Sequence, residues 1–132
     1  MAITLWQYLQ YLKYFAVALL LLIGFIIVYL RITPVAELKL IKQGNIACAT
    51  SLSGAMTGFC ITLISSMLQS VSLISFIIWG VAAMIVQILV YFIATLLIPK
   101  ANQELANNNI AVGILFFGLS IAIGILNAAA LS

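Results

Sequence analysis

Histidine and aspartate are absent from this 132-residue chain, and the acidic residues are two glutamates, Glu37 and Glu104. A Ser-His-Asp relay, a pair of catalytic carboxylates or a cluster of His, Cys and acidic metal ligands has almost nothing to be built from, so no enzyme, metal or cofactor is expected. Cysteine is nearly as scarce. Cys48 and Cys60 share one apolar run, and twelve helical residues set them about 120° apart around the axis and about 18 Å apart along it, which excludes a bond between them. They read as small apolar residues. Charge of either sign makes up only 5% of the chain.

What is abundant is hydrocarbon: 67% of residues are hydrophobic and the mean hydropathy is +1.36, more apolar surface than a soluble domain can hide. The apolar runs divide into four spans, Tyr14 to Leu30, Ile46 to Leu68, Phe76 to Ile98 and Ile110 to Leu131, each close to the ~20 residues that cross a bilayer. They are continuous rather than alternating, which selects helices over a barrel. The first run starts late, after Lys13, and lacks a small-residue cleavage site, so a cleaved leader is not expected. The net charge of +3 bears on orientation rather than on nucleic acid. Arg31, Lys39 and Lys42 follow span one and Lys100 follows span three, whereas the link between spans two and three is uncharged. The positive-inside rule then puts links 31–45 and 99–109 in the cytoplasm and both termini outside, against a minority vote from Lys13. Trp6, Tyr8, Tyr11 and Trp79 fit the outer interface of that frame, and Tyr29 the inner one.

Two stretches echo each other. Asn45, Ile46, Ala47 and Gly54 recur as Asn109, Ile110, Ala111 and Gly118, each 64 residues on, and Pro34 and Pro99 close the preceding spans at an offset of 65. The expected architecture is all-α: a four-helix transmembrane bundle built from two tandem two-helix repeats, about 14–68 and 76–131, in one multi-pass domain. An even number of crossings returns the chain to its starting side, so the repeats should share one orientation about an axis along the membrane normal. Proline stops each helix because it cannot continue the ladder. Asn45 and Asn109 are placed as N-caps, with a polar site where the two capped starts meet as the alternative reading.

Within span two, Ala47, Ser51, Gly54, Gly58 and Ser65 share a stripe, and the 64-residue shift turns it into Ala111, Leu115, Gly118, Ala122 and Ala129. Helices in lipid associate through close backbone approach, which needs such small residues. Span four carries a second small or polar line, Gly113, Ser120, Gly124 and Asn127, on nearly the opposite face. A helix small on two sides should touch protein on two sides, which points to a homo-oligomer. Gln87, in the middle of span three, is the most costly residue, either interhelical glue or the polar lining of a path.

The motifs "ITP" (Ile32 to Pro34), "GNIA" (Gly44 to Ala47), "WG" (Trp79, Gly80), Gln87, "NIAVG" (Asn109 to Gly113) and "GILNAA" (Gly124 to Ala129), with Glu37, Leu40 and Ile41, resemble the YjfL-type inner-membrane proteins of bacteria, a family of unknown function. The resemblance covers nearly the whole chain and implies a bacterial inner membrane and a multi-pass helical fold. It also implies a neighbourhood of PspA-like stress proteins and of ligases similar to glutathionylspermidine synthase, hence a part in envelope maintenance. It supplies no site residues.

Two functional readings follow. One is an oligomeric structural or accessory component of the envelope, whose 35–44 segment lies on the inner surface and recruits a cytoplasmic protein partner. The other is a small channel or carrier with Gln87, Asn127 and the hydroxyls of span two along a path. The first is preferred here because no charge is expected inside the membrane to couple ions.

Overall fold

A computed structural model describes residues 4–34 and 36–131. They form four long helices and two short ones: α1 (Leu5–Ile32), α2 (Glu37–Lys42), α3 (Ile46–Gln69), α4 (Leu73–Leu97), α5 (Ala101–Ala106) and α6 (Ile110–Leu131). The four long helices run 28, 24, 25 and 22 residues and are apolar enough to cross a membrane. At ~1.5 Å per residue the shortest matches a ~30 Å hydrocarbon core. The protein is an all-α, four-helix transmembrane bundle.

Three of the long helices begin and end close to the apolar runs, but α1 starts at Leu5, well before Tyr14. Hydropathy marks where lipid begins, whereas the helix is closed by hydrogen bonds, and here a capping box supplies them. The Gln7 amide donates to the Thr4 hydroxyl at 3.2 Å, and the Thr4 amide donates to the Gln7 side chain at 3.1 Å. The extra turns carry Trp6, Tyr8 and Tyr11 outward.

Between the long helices the chain makes the same turn twice. α2 and α5 are six residues each and start 64 apart, at residues 37 and 101. Both end in a Schellman closure: Asn45 N–H donates to Leu40 O at 3.0 Å and Gly44 N–H to Ile41 O at 2.9 Å, and Asn109 N–H donates to Glu104 O at 2.8 Å and Asn108 N–H to Leu105 O at 3.0 Å. The left-handed residue is Gly44 (φ 88°) in one and Asn108 (φ 60°) in the other, the two residue types that tolerate that conformation most cheaply.

α3 is the most buried long helix and α1 the least. The main contact is α3 beside α6, running parallel from the α2/α5 end. Their backbones touch: a Cβ on Gly113 would lie 2.6 Å from Ala47 O, one on Gly54 2.5 Å from Phe117 Cα, and one on Gly124 2.5 Å from Gly58 O. Hydroxyls bridge the seam, Thr62 donating to Gly124 O at 3.1 Å and Ser65 to Ala128 O at 2.6 Å. α1 and α4 close the bundle through Phe25 stacked on Phe59 at 4.6 Å, Tyr14 against Phe76 at 5.8 Å and Tyr29 against Tyr91 at 5.9 Å.

The seam corrects one expectation. On α3 the small stripe does face inward, with Ala47, Ser51, Gly54 and Gly58 all buried. On α6 the 64-residue shift selects the wrong line, because Ala111, Gly118 and Ala122 are exposed and a Cβ on Gly118 meets nothing within 4 Å. The second line, Gly113, Ser120 and Gly124, packs on α3 instead. The reason is steric. Gly113, Ser120 and Gly124 bring the α6 backbone against α3, and between them Gly54 of α3 makes room for Phe117 of α6, so small residues on each helix admit the other. Two residues of helix are a turn of about 200°, so α3 and α6 do not present equivalent faces and the expected twofold relation fails at this contact.

Candidate functional site: a buried polar column

One face of α3 is polar through most of its length. Ser51, Gly58, Thr62 and Ser66 fall within about 80° of one another and span about 22 Å along the axis, and all four are buried. Gln87 meets them from α4 in mid-membrane. It is 1% exposed, its Oε1 lies 3.1 Å from where a Gly58 Cβ would stand, and the Ser120 backbone of α6 touches the same spot. Neither amide atom of Gln87 has a hydrogen-bond partner, nor do Ser66 Oγ and Asn127 Nδ2. In this arrangement Gln87 makes no hydrogen bond to a neighbouring helix. A polar group left unpartnered in hydrocarbon is costly, roughly 2–7 kcal/mol on transfer scales, which singles out the buried Gln87 amide.

At the α2/α5 end the column reaches an aromatic and acidic cluster. One turn beyond Gln87, Tyr91 donates its hydroxyl to Asn102 Oδ1 on α5 at 2.7 Å. Tyr29 lies edge-on to it. Glu37, the first residue of α2, turns its side chain into the bundle rather than toward water: it is 2% exposed and its Oε2 has no hydrogen-bond partner. It lies within electrostatic reach of Tyr29, Cys48 and Tyr91. Burial pushes its carboxyl up to about 7, because a low-dielectric site disfavours the charged form. Sixty-four residues on, the first residue of α5 is Ala101, fully buried in the other half. The first residue of one short helix thus buries a carboxyl and that of the other a methyl group.

A cleft opens at each end. Pro34, Lys39, Gln43, Asn102 and Gln103 line one of about 510 Å³ between α2 and α5, reaching the Tyr91–Asn102 bond. Ser66, Gln69, Ser70 and Trp79 line one of about 410 Å³ at the opposite end, reaching the last serine of the column.

The asparagines divide their work differently from the expectation. Asn45 caps α3, accepting from Cys48 N–H at 2.9 Å, and also donates to Leu105 O at 2.9 Å and Ala106 O at 3.3 Å. Asn109 spends its amide on Glu104 Oε2 at 2.8 Å. It is Asn108 that crosses to the other helix start, accepting from Ala47 N–H at 3.0 Å. The two starts do meet, through Asn45 and Asn108. Glu37, Tyr29 and Tyr91 were not singled out from the sequence as site residues. A glutamate beside two lysines reads as a solvated link, and its one distinguishing signal was that it is half of the chain's acid.

Such a bundle, with its polar interior and membrane-length helices, defines a small multi-pass membrane protein. The chain belongs to the family described as Domain of Unknown Function (DUF350), whose profile matches residues 3–131. It is 34% identical over 119 residues to the UPF0719 inner membrane protein YjfL of Escherichia coli K12, covering 90% of each chain. It is also 34% identical over 118 residues, 88% of each chain, to the UPF0719 transmembrane protein YshE of Bacillus subtilis 168. No solved structure matches.

Proposed function

We propose that this protein is a small carrier or gated conduit for polar species in the bacterial inner membrane, using the column between α3, α4 and α6. The observation that carries the reading is Gln87, buried in mid-membrane with both amide atoms unpartnered, in line with hydroxyls that end at a cleft beside Ser66 and one turn from Tyr91, whose partner Asn102 lines the cleft between α2 and α5. Intramembrane polar groups are retained where they serve a path. Glu37 removes the main objection to that reading, because an ionisable group does enter the bundle. Phe25 stacked on Phe59 and the closed α3–α6 seam keep the arrangement shut, so transit requires rearrangement. An inner-membrane location is supported by the name of the E. coli relative, and the repeated turn supports a duplicated hairpin.

The test is flux of ions and small polar solutes through liposomes holding the purified protein, with Gln87→Leu as control. Flux above protein-free liposomes that the variant loses is the expected result. Flux no greater than in protein-free liposomes overturns the reading.

A second reading rests on Ala111, Gly118 and Ala122, a small-residue line on α6 that faces away from the bundle. It suits self-association and, with the α2/α5 cleft as a dock for a cytoplasmic protein, an accessory role in envelope maintenance. Gly118→Leu should then reduce oligomer mass in detergent measured by light scattering, and an unchanged mass refutes it.

A further inference from the structure

We propose that Glu37 is a proton-binding latch: α2 seats its neutral carboxyl against α1, α3 and α4 and closes the column at that end, and loss of the proton releases α2 and opens the column to the cleft. The proposal concerns the regulation of the conduit described above and rests on that reading for its consequence, though not for its geometry.

Three independent features place the device. The side chain is buried in the bundle, with Tyr29 of α1, Cys48 of α3 and Tyr91 of α4 as its titratable neighbours, and it borders a small cleft that Leu30, Ala36 and Lys39 also line. The charged groups nearest in sequence, Arg31, Lys39 and Lys42, are exposed. Ionisation would therefore leave an uncompensated charge in an apolar seat, which is strongly unfavourable. The second feature is the hinge. α2 is only six residues long, lies after Pro34 and is followed by Gly44, where φ is 88° and no atom lies within 4 Å of where a Cβ would stand, so the backbone at that point carries no side-chain restraint. Third, Ala101 fills the matching seat under α5, so the fold does not need an acid there.

The step balances simply: the carboxyl gives its proton to water, becoming a carboxylate, and the carboxylate regains its solvation by leaving the seat with α2. Because burial holds Glu37 near 7, the change falls between pH 6 and 8. Tyr91, Tyr29 and Cys48 would then face the cleft.

Cys48 reports the opening directly. It is fully buried behind Glu37 and, with Cys60 replaced by serine, is the chain's single thiol. The experiment measures its reaction with a water-soluble maleimide in detergent-purified protein from pH 6 to 8, divided by the rate in a Glu37→Gln protein, so that ordinary thiol chemistry cancels. If the glutamine variant does not fold, Glu37→Ala, which copies position 101, takes its place. The ratio should rise by about tenfold over that range as the ionised fraction rises. A ratio that stays flat overturns the latch. Solute flux measured in parallel separates the two proposals: flux with a flat labelling ratio leaves the conduit and removes the latch, whereas a rising ratio without flux leaves the latch and removes the conduit.

Discussion

Replacing Gly124 by alanine tests the seam at a point where two backbones touch. The new Cβ would stand 2.5 Å from Gly58 O, 2.7 Å from Gly58 Cα and 2.9 Å from Gly58 C, all backbone atoms that no rotamer change can move. Restoring an ordinary 3.4 Å contact requires α3 and α6 to part by 0.9 Å. That displacement stretches the Thr62 bond to Gly124 O from 3.1 Å and the Ser65 bond to Ala128 O from 2.6 Å, to or beyond the limit of a hydrogen bond. Overpacking costs about 1–3 kcal/mol and two interhelical bonds about 0.6 kcal/mol each, while alanine returns about 1 kcal/mol of helix propensity. The net loss is about 2 kcal/mol. Gly118→Ala keeps the propensity gain and meets nothing within 4 Å, so it should be neutral or stabilising by up to about 1 kcal/mol. The pair differs by about 3 kcal/mol, more than a hundredfold in the folding constant, readable as displaced SDS unfolding midpoints in mixed micelles. Equal midpoints would refute the reasoning, because the two substitutions are chemically identical and differ only in which face of α6 they occupy.

Other substitutions probe other parts of the structure. The stability of the native protein should fall as pH rises from about 4.5 to about 7 and level off above, since folded Glu37 keeps a proton that the unfolded chain releases in that window. The drop is about 3 kcal/mol, and Glu37→Gln should flatten the profile; a native profile that is already flat contradicts the buried carboxyl. Asn45→Ala should cost about 2 kcal/mol, because it removes a cap and two bonds to α5. Asn109→Ala should cost less than about 1 kcal/mol for its single bond to Glu104, and the reverse order in unfolding titrations would refute the division of roles. Gly44→Ala should cost about 1 kcal/mol through φ alone, and Asn108→Gly should cost about as much in the same assay, because glycine accepts the φ but removes the acceptor of Ala47 N–H.

The long helices were legible because their signal is collective: a run of about twenty mainly apolar residues admits one solution in lipid. The turn at Gly44-Asn45 and Asn108-Asn109 was half legible, since Pro34, Pro99 and the asparagines mark where helices stop and start but not that six-residue helices fold between them. The choice between the two small lines of α6 was not legible by shifting the pattern by 64, because a wheel ranks the faces of one helix by size while docking is decided by how two helices fit, as where Gly54 of α3 makes room for Phe117 of α6. Glu37 was the least legible. Hydropathy averages its charge with Leu38, Lys39 and Leu40, and nothing local says that the first side chain of a short helix points away from water.

The alanine at position 101 has a numerical consequence. Two identical hairpins assembled side by side would carry a buried acid in each, and their titrations would couple through mutual repulsion. Here one seat holds a carboxyl and the other a methyl group, so the molecule has a stoichiometry of one. Between pH 6 and 8 each chain should release a single proton from its interior, with the slope of an independent site, and any cycle built on that release counts protons one chain at a time.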